Sequence, residues 1–488
     1  MADEQATRRP KKLPAFFFCL SFVAILAFAA AVRICCALND LWLDEILAVN
    51  MGHEVVSLTG FFQLHNEVNH HLYTLYLGLL EMHSSPLLFR LPSLLAGVGT
   101  VALAGLIGRQ FGNPHAIFAM LMTAASYILT LYSTEARGYA LAVFFSLVCY
   151  WLLIRHFETR RFKFALLFSC AALLGLLSQI IFLSFYSAAF LWSLVRWWRS
   201  GLGRRKTATA VLACHLLPLV CVVVIYFADL RHLTNVGGTS SESVWQSYAT
   251  ALAWAWGVSN SQGFRWLGVL LSVVVLPVGI YLFWKTKSDQ WLLFLGVIVV
   301  LPLLLVLLRG SMVIYTRYFI LSIAFLLVLG SFVLGEAYQR GTWGKVLCVV
   351  LLPAYLLANG WQIAKLMRWG RGQYREAIHF MSEHSSSSVV TIGSDHDFRS
   401  GTILRYYAPV VMPHKQSVYV LTGQRPPQGP EWVIRHKESF DPPAPPGLEL
   451  RDADGNYYDF QKAYPSAPLS GLPWFIYHNR SNALREPE

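Results

Sequence analysis

LPAFFFCLSFVAILAFAAAVRICCAL, residues 13–38, runs straight into NDLWLDE, residues 39–45. The first stretch has the length and apolarity of a membrane span, which takes roughly 20 apolar residues. The second sets two adjacent carboxylates, Asp44 and Glu45, just past its end. Carboxylates near hydrocarbon are costly to place and easy to omit. One held there can take a proton from an alcohol, hold a divalent cation or bind a polar head group.

Apolar runs of about 20 residues recur along most of the chain. The 488 residues are 55% hydrophobic and only 14% charged, with a mean hydropathy of +0.47, which predicts a polytopic helical membrane protein and not a pair of soluble domains. The net charge of +12 could point to nucleic acid. Its distribution argues against that partner, because the basic residues gather in short loops between apolar runs, the positive-inside pattern. All eight cysteines lie in apolar runs without CxxC or Cys/His metal spacing, so they read as small lipid- or core-facing residues.

Arg8, Arg9, Lys11 and Lys12 precede the first run and should stay cytoplasmic, making it an uncleaved span that exits outward. Residues 39–90 then form a first outer loop, with one or two interfacial helices between Ile46 and Met82. Leu72–Met82 is about half the length a crossing needs. Were it to cross, every dense basic loop from Arg109 onward would be inverted. About 11 spans are therefore expected within residues 1–363, including one near His115–Tyr132 and a hairpin turning at Ser178-Gln179. Residues 364–488 read as a small extracytoplasmic α/β domain. Its expected helices are Tyr374–His384 and Phe398–Tyr407, and its expected strands are Val389–Ile392, Ser417–Val420 and Trp474–Tyr477. Asn479-Arg480-Ser481 matches a short glycosylation sequon.

The outer-face arginines Arg90, Arg137 and Arg317 break the positive-inside trend. Guanidinium binds phosphate oxygens in a bidentate manner, so a lipid-carrier phosphate is a natural partner; the alternative is snorkelling to head groups. The acids on the same face are Asp44, Glu45 and Glu135. Solvated loop charge is their bland reading, but each lies within a few residues of a span end. His65, His70 and His71 add a polar cluster, as acceptor-binding or metal candidates or simply as hydrogen-bonders.

Four stretches occur in order: Trp42-Leu43-Asp44-Glu45, His70-His71-Leu72-Tyr73, Arg90-Leu91-Pro92-Ser93 and Tyr132-Ser133-Thr134-Glu135-Ala136-Arg137-Gly138-Tyr139. Together they resemble the N-terminal core of membrane glycosyltransferases of the GT-C fold, in particular bacterial family 39-like proteins related to protein O-mannosyltransferases and aminoarabinose transferases. Arg317-Tyr318 is similar to the pair that opens a late span in those proteins, and Tyr374-Arg375-Glu376-Ala377 to the start of their outer domain.

The resemblance implies a bacterial inner-membrane enzyme that moves a sugar from a polyprenyl-phosphate donor to an acceptor on the outer face. It implies that Asp44 is the catalytic base and that Glu135 is the second-loop acid. Arg137, Arg317 and Arg90, with Tyr139 and Tyr318, become the donor-phosphate set. A divalent cation stays open as an aid to the leaving group. Two departures bear on donor and acceptor more than on fold. Gln179 stands where many relatives have histidine, and His70-His71 where aminoarabinose transferases carry lysine-proline. A lipid or glycan transporter is the rival class, but charges concentrated at one face and the lack of a visible repeat weigh against it. A non-catalytic scaffold would leave the ordered outer-face charges unexplained.

Overall fold

The computed structural model describes residues 15–55, 60, 64–65, 70–199, 201, 203–232, 243–258, 262–308, 314–436 and 447–480. Ser481 of the sequon and the four N-terminal basic residues lie outside them. The chain divides into two compact units. One comprises 1–34, 51–81 and 89–361; the other comprises 35–50, 82–88 and 362–488.

Helices dominate the first unit because its apolar runs have no water to satisfy their backbone groups. They are α1 (Ala15–Cys36), α3 (His71–Leu77), α4 (Pro86–Arg109), α5 (Asn113–Ala125), α6 (Tyr127–Ser133), α7 (Tyr139–Thr159), α8 (Phe162–Ser178), α9 (Phe182–Arg199), α10 (Arg204–Ala228), α11 (Val244–Ala255), α12 (Gln262–Lys285), α13 (Trp291–Leu295), α14 (Leu301–Leu308), α15 (Ile320–Gln339) and α16 (Thr342–Trp369), together with α2 (Leu43–Glu54); α1, α2, α4 and α16 each run across the division. Among the described residues, seven helices are long and apolar enough to cross a membrane, or eight when α5 and α6 count as one bent span. Shorter apolar helices occur at Phe162–Ser178 and Trp291–Leu307. Seven or eight such helices are fewer than the roughly 11 spans expected, because α8 has only 17 residues and the α13–α14 run is also short; α3, with only 7 residues, is far too short to cross.

Helix α15 is apolar all round and buried along nearly its whole length, as a central helix must be. The outer helices expose Val220, Val223, Val273, Val274, Val349 and Val350 instead. In water such surface would drive association; against lipid tails it is at home. The chain is an integral membrane protein.

The span expected at His115–Tyr132 is broken. Helices α5 and α6 meet at Ser126 with a bend of 61°. The backbone groups freed there are met by buried side chains. Arg33 of α1 donates to the carbonyls of Thr123 and Ala124 at 3.3 and 3.4 Å, where a helix C-terminus favours a cation. Asn359 of α16 accepts from the Tyr127 N–H at 2.8 Å, and the Tyr355 hydroxyl donates to the Met122 carbonyl at 2.7 Å. These bonds make the break a built feature of the bundle. A π-helical turn, Gly296–Val300, interrupts the α13–α14 run, and Ser322 and Tyr248 donate to its Val297 and Ile298 carbonyls.

The second unit is a six-stranded sheet with helices α17 (Tyr374–Glu383) and α18 (Asp397–Val411). Its strands are β1 (Val389–Ser394), β2 (Gln416–Tyr419), β3 (Trp432–His436), β4 (Glu449–Arg451), β5 (Tyr457–Tyr464) and β6 (Trp474–Asn479), in the order β2-β1-β3-β6-β5-β4. The pairs β1–β2 and β1–β3 are parallel; the others are antiparallel. Two stretches of the first outer loop belong to this unit. Leu41 exchanges two backbone hydrogen bonds with the Tyr407 hydroxyl, and Asp40 accepts from the Arg375 N–H at 2.9 Å, capping α17 with a negative charge at its N-terminus. Tyr406 donates to the Met82 carbonyl in the same way.

Candidate active site

Thr134–Gly138 is a tight turn between α6 and α7. The bend at Ser126 sets α6 entirely inside the bundle, so the turn that follows is buried too. Glu135 is 0% and Arg137 2% exposed, which removes solvated loop charge as their explanation. The Glu135 carboxylate lies 3.6 Å from the Arg137 guanidinium. That guanidinium also sits 5.0 Å from the centre of the Tyr139 ring, within cation–π reach. Ser93 of α4 donates to the Arg137 carbonyl at 3.0 Å and lies 3.1 Å from the Tyr73 hydroxyl, linking turn, α4 and α3.

His70, buried before the first turn of α3, completes this cluster. Its Nδ1 accepts the Gly138 N–H at 2.8 Å, so a neutral ring carries its proton on Nε2. The Gln179 side-chain amide nitrogen lies 3.2 Å from Nε2. One Arg137 nitrogen is 3.4 Å from Nε2, and the Tyr139 ring meets His70 edge-on. Burial, then the nearby cations Arg137 and Arg317 and the neighbouring His71, push the His70 pKa well below its usual value. The ring stays neutral, and the cluster keeps its positive charge on arginine.

Arg317 belongs to this neighbourhood through that electrostatic effect. It sits in a short 3-10 turn, Thr316–Phe319, with its guanidinium 4.6 and 5.8 Å from the Tyr315 and Tyr318 ring centres. Arg90 is fully buried within α4.

The three histidines do not form one cluster. His65 and His71 turn to Asp229 at the end of α10, at 3.2 and 3.0 Å, while His70 turns to Gly138. His65 also stacks near His232, with ring centres 5.0 Å apart. Asp229 was missed by sequence reading because it looked like an ordinary loop start; its 3% exposure marks it as an internal acid. Among the described residues no group of three or more His, Cys, Asp or Glu side chains is placed to hold a metal ion. Gln179, expected only as a departure from relatives, proves to be part of the cluster. It lies between α8 and α9, where the hairpin turn was expected.

Asp44 and Glu45 occupy the first turn of α2, not a loop. Acids are favoured there by the helix dipole. Glu45 is fully buried, and its carboxylate accepts the Trp42 N–H at 3.2 Å, half of a capping box. Its charge also helps raise the Tyr406 pKa to about 12, after burial. Asp44 is partly exposed. The pair is divided: Glu45 builds the helix start, and Asp44 keeps access to solvent.

No protein-family model matches the sequence, and no curated protein matches it. Solved structures do match in fold. The chain is similar to ArnT from Cupriavidus metallidurans in the apo state, with a TM-score of 0.53 at 13% identity, covering 97% of this chain and 100% of that one. A structure of the same protein bound to undecaprenyl phosphate aligns over the same shares with a TM-score of 0.49 and 13% identity. The class is therefore defined: a membrane protein of the GT-C fold. ArnT is one solved structure of that fold to which the chain is similar.

Proposed function

We propose that the chain is an integral-membrane glycosyltransferase, moving a sugar from a polyprenyl-phosphate-linked donor to an acceptor on the outer face of the bacterial inner membrane. The observation that carries this reading is the buried arginine–histidine–glutamine cluster at the α6–α7 turn of a GT-C fold. A guanidinium at a span end, paired with a carboxylate and flanked by a neutral histidine, suits a lipid-borne phosphate. The fold relative ArnT is itself a transferase, which agrees with this reading.

In the proposed reaction the acceptor oxygen attacks the anomeric carbon while Asp44 takes its hydroxyl proton. The bond from that carbon to the phosphate oxygen breaks, and polyprenyl phosphate leaves with inversion. Arg137 and Arg317 neutralise the charge growing on the leaving phosphate, with Tyr139 and Tyr318 packing on them and Arg90 supporting the same face. Glu135 holds the Arg137 fork, and neutral His70 fixes the turn that carries it. Glu45 is a positioning residue, starting the helix that bears Asp44. A base and an electrostatic clamp suffice, so no covalent enzyme intermediate is invoked.

The test is a panel of polyprenyl-phosphate sugars given to the purified protein in membranes, reading release of the carrier phosphate. Release from at least one donor, dependent on an added acceptor alcohol, is expected. Movement of donor across the bilayer without release would favour a transporter and overturn the reading.

A further inference from the structure

At the other end of α7, α8 and α9 from the turn just described lies a second feature. A cavity of about 790 Å³ opens among the last turns of α7 and α9, the first turns of α8 and α10, and the α12–α13 turn. Helix α7 has 21 residues, so the two features stand about 30 Å apart along it, the thickness of a bilayer's hydrocarbon core. Arg160, Arg196, Arg199, Arg205, Lys206 and Lys287 line the cavity. Among the described lining residues Asp289 is the one acid, and it is already engaged by Arg196 and by the Trp192 indole N–H.

Helix-end electrostatics does not account for this gathering. Arg160 and Arg199 close helices, where cations are favoured. Arg205 and Lys206 sit in the first turn of α10, where the dipole disfavours them. Arg160 and Lys287 both adopt φ of +54°, a left-handed backbone where glycine is the usual choice. A loop needing only solubility would not require basic side chains at those two points.

The cavity is continuous with lipid-facing surface. Phe162 lines it and is itself exposed, and Leu166 follows one turn along α8. On α10, Thr209 and Ala213 line it, and exposed Leu212 and Leu216 continue that side toward the membrane. We propose that this cavity binds the headgroup of an anionic glycerophospholipid from the adjoining leaflet, with the acyl chains lying along α8 and α10. Its volume exceeds what a lone phosphate needs, and basic pockets between spans suit such headgroups. The apolar exit favours a lipid over a soluble anion. This inference does not rest on the transferase reading.

The experiment uses the full chain in detergent, stripped of lipid. Thermal unfolding and native mass spectrometry are recorded with phosphatidylglycerol, cardiolipin, phosphatidylcholine or sodium pyrophosphate added. The variant is Arg205→Gln/Lys206→Gln/Lys287→Gln, with Arg340→Gln/Lys345→Gln, from another loop, as control. The anionic lipids should stabilise wild type and control, and phosphatidylcholine and pyrophosphate should not. Each charge removed weakens such binding about fivefold, so the triple variant should lose it on the order of a hundredfold. Equal lipid retention by the triple variant, or no preference for anionic lipids in wild type, would overturn the proposal. Protection by pyrophosphate matching that by the lipids would overturn the lipid assignment in favour of a soluble anion. If the lipid-free triple variant unfolds well below wild type, Arg205→Gln and Lys287→Gln singly carry the comparison, each with about a fivefold loss expected.

Discussion

The Gly138 backbone N–H donates to Nδ1 of His70 at 2.8 Å, tying the start of α7 to the start of α3. A buried donor left without its acceptor costs about 1–3 kcal/mol. His70→Leu should therefore lower unfolding stability by about that amount and slow transfer at least tenfold, on the order of what a misplaced turn costs. His70→Asn offers an oxygen near the Nδ1 position and should recover much of the stability. Denaturation in detergent alongside turnover separates the two effects.

The same ring makes stability fall with acid. Burial and neighbouring cations depress its folded pKa, whereas an unfolded histidine titrates near about 6.5. Below that value the unfolded chain binds a proton that the folded site refuses. The ring's contribution is thus present above about pH 6.5 and lost progressively as pH falls toward the depressed folded value. Unfolding midpoints across pH should drop on acidification, and His70→Asn should show a shallower drop than wild type.

Gly138 leaves no room for a side chain. A Cβ there would stand 1.8 Å from the Ser178 carbonyl oxygen, a backbone atom that cannot simply swing away. Gly138→Ala should cost about 1–3 kcal/mol, as overpacking does, and displace the Arg137 turn. Impaired transfer together with a lowered midpoint is the expected pair of readings.

Glu45 and Asp44 should respond differently to neutralisation. Glu45→Gln weakens the bond to the Trp42 N–H and the favourable charge at the α2 start, costing about 1 kcal/mol. Activity should fall only in step with stability, which parallel unfolding and turnover curves would reveal.

Much of this was legible in the sequence, and the limits are physical. Long apolar runs and basic loops report directly on lipid, so the helices fell where the runs did. The strands Val389–Ile392 and Trp474–Tyr477 announced themselves as short buried runs. The break at Ser126 did not, because Arg33 and Asn359 repair it from far along the chain, at sequence separations of 90 and 232 residues. Glu135 and Arg137 were found by their motif, but their burial depends on that break. Asp229 and the His65–His71 grouping were hidden for the same reason: which histidine meets which acid is decided by packing between helices. The resemblance singled out Asp44 but not the burial of its neighbour; the helix starting at Leu43 buries Glu45 and leaves Asp44 partly exposed.

The most direct measurement is carrier-phosphate release by wild type and Asp44→Asn, using a polyprenyl-phosphate sugar that wild type turns over. Release should fall to background in Asp44→Asn, with unfolding and donor binding nearly unchanged. Release at the wild-type rate from that variant would contradict Asp44 as the base.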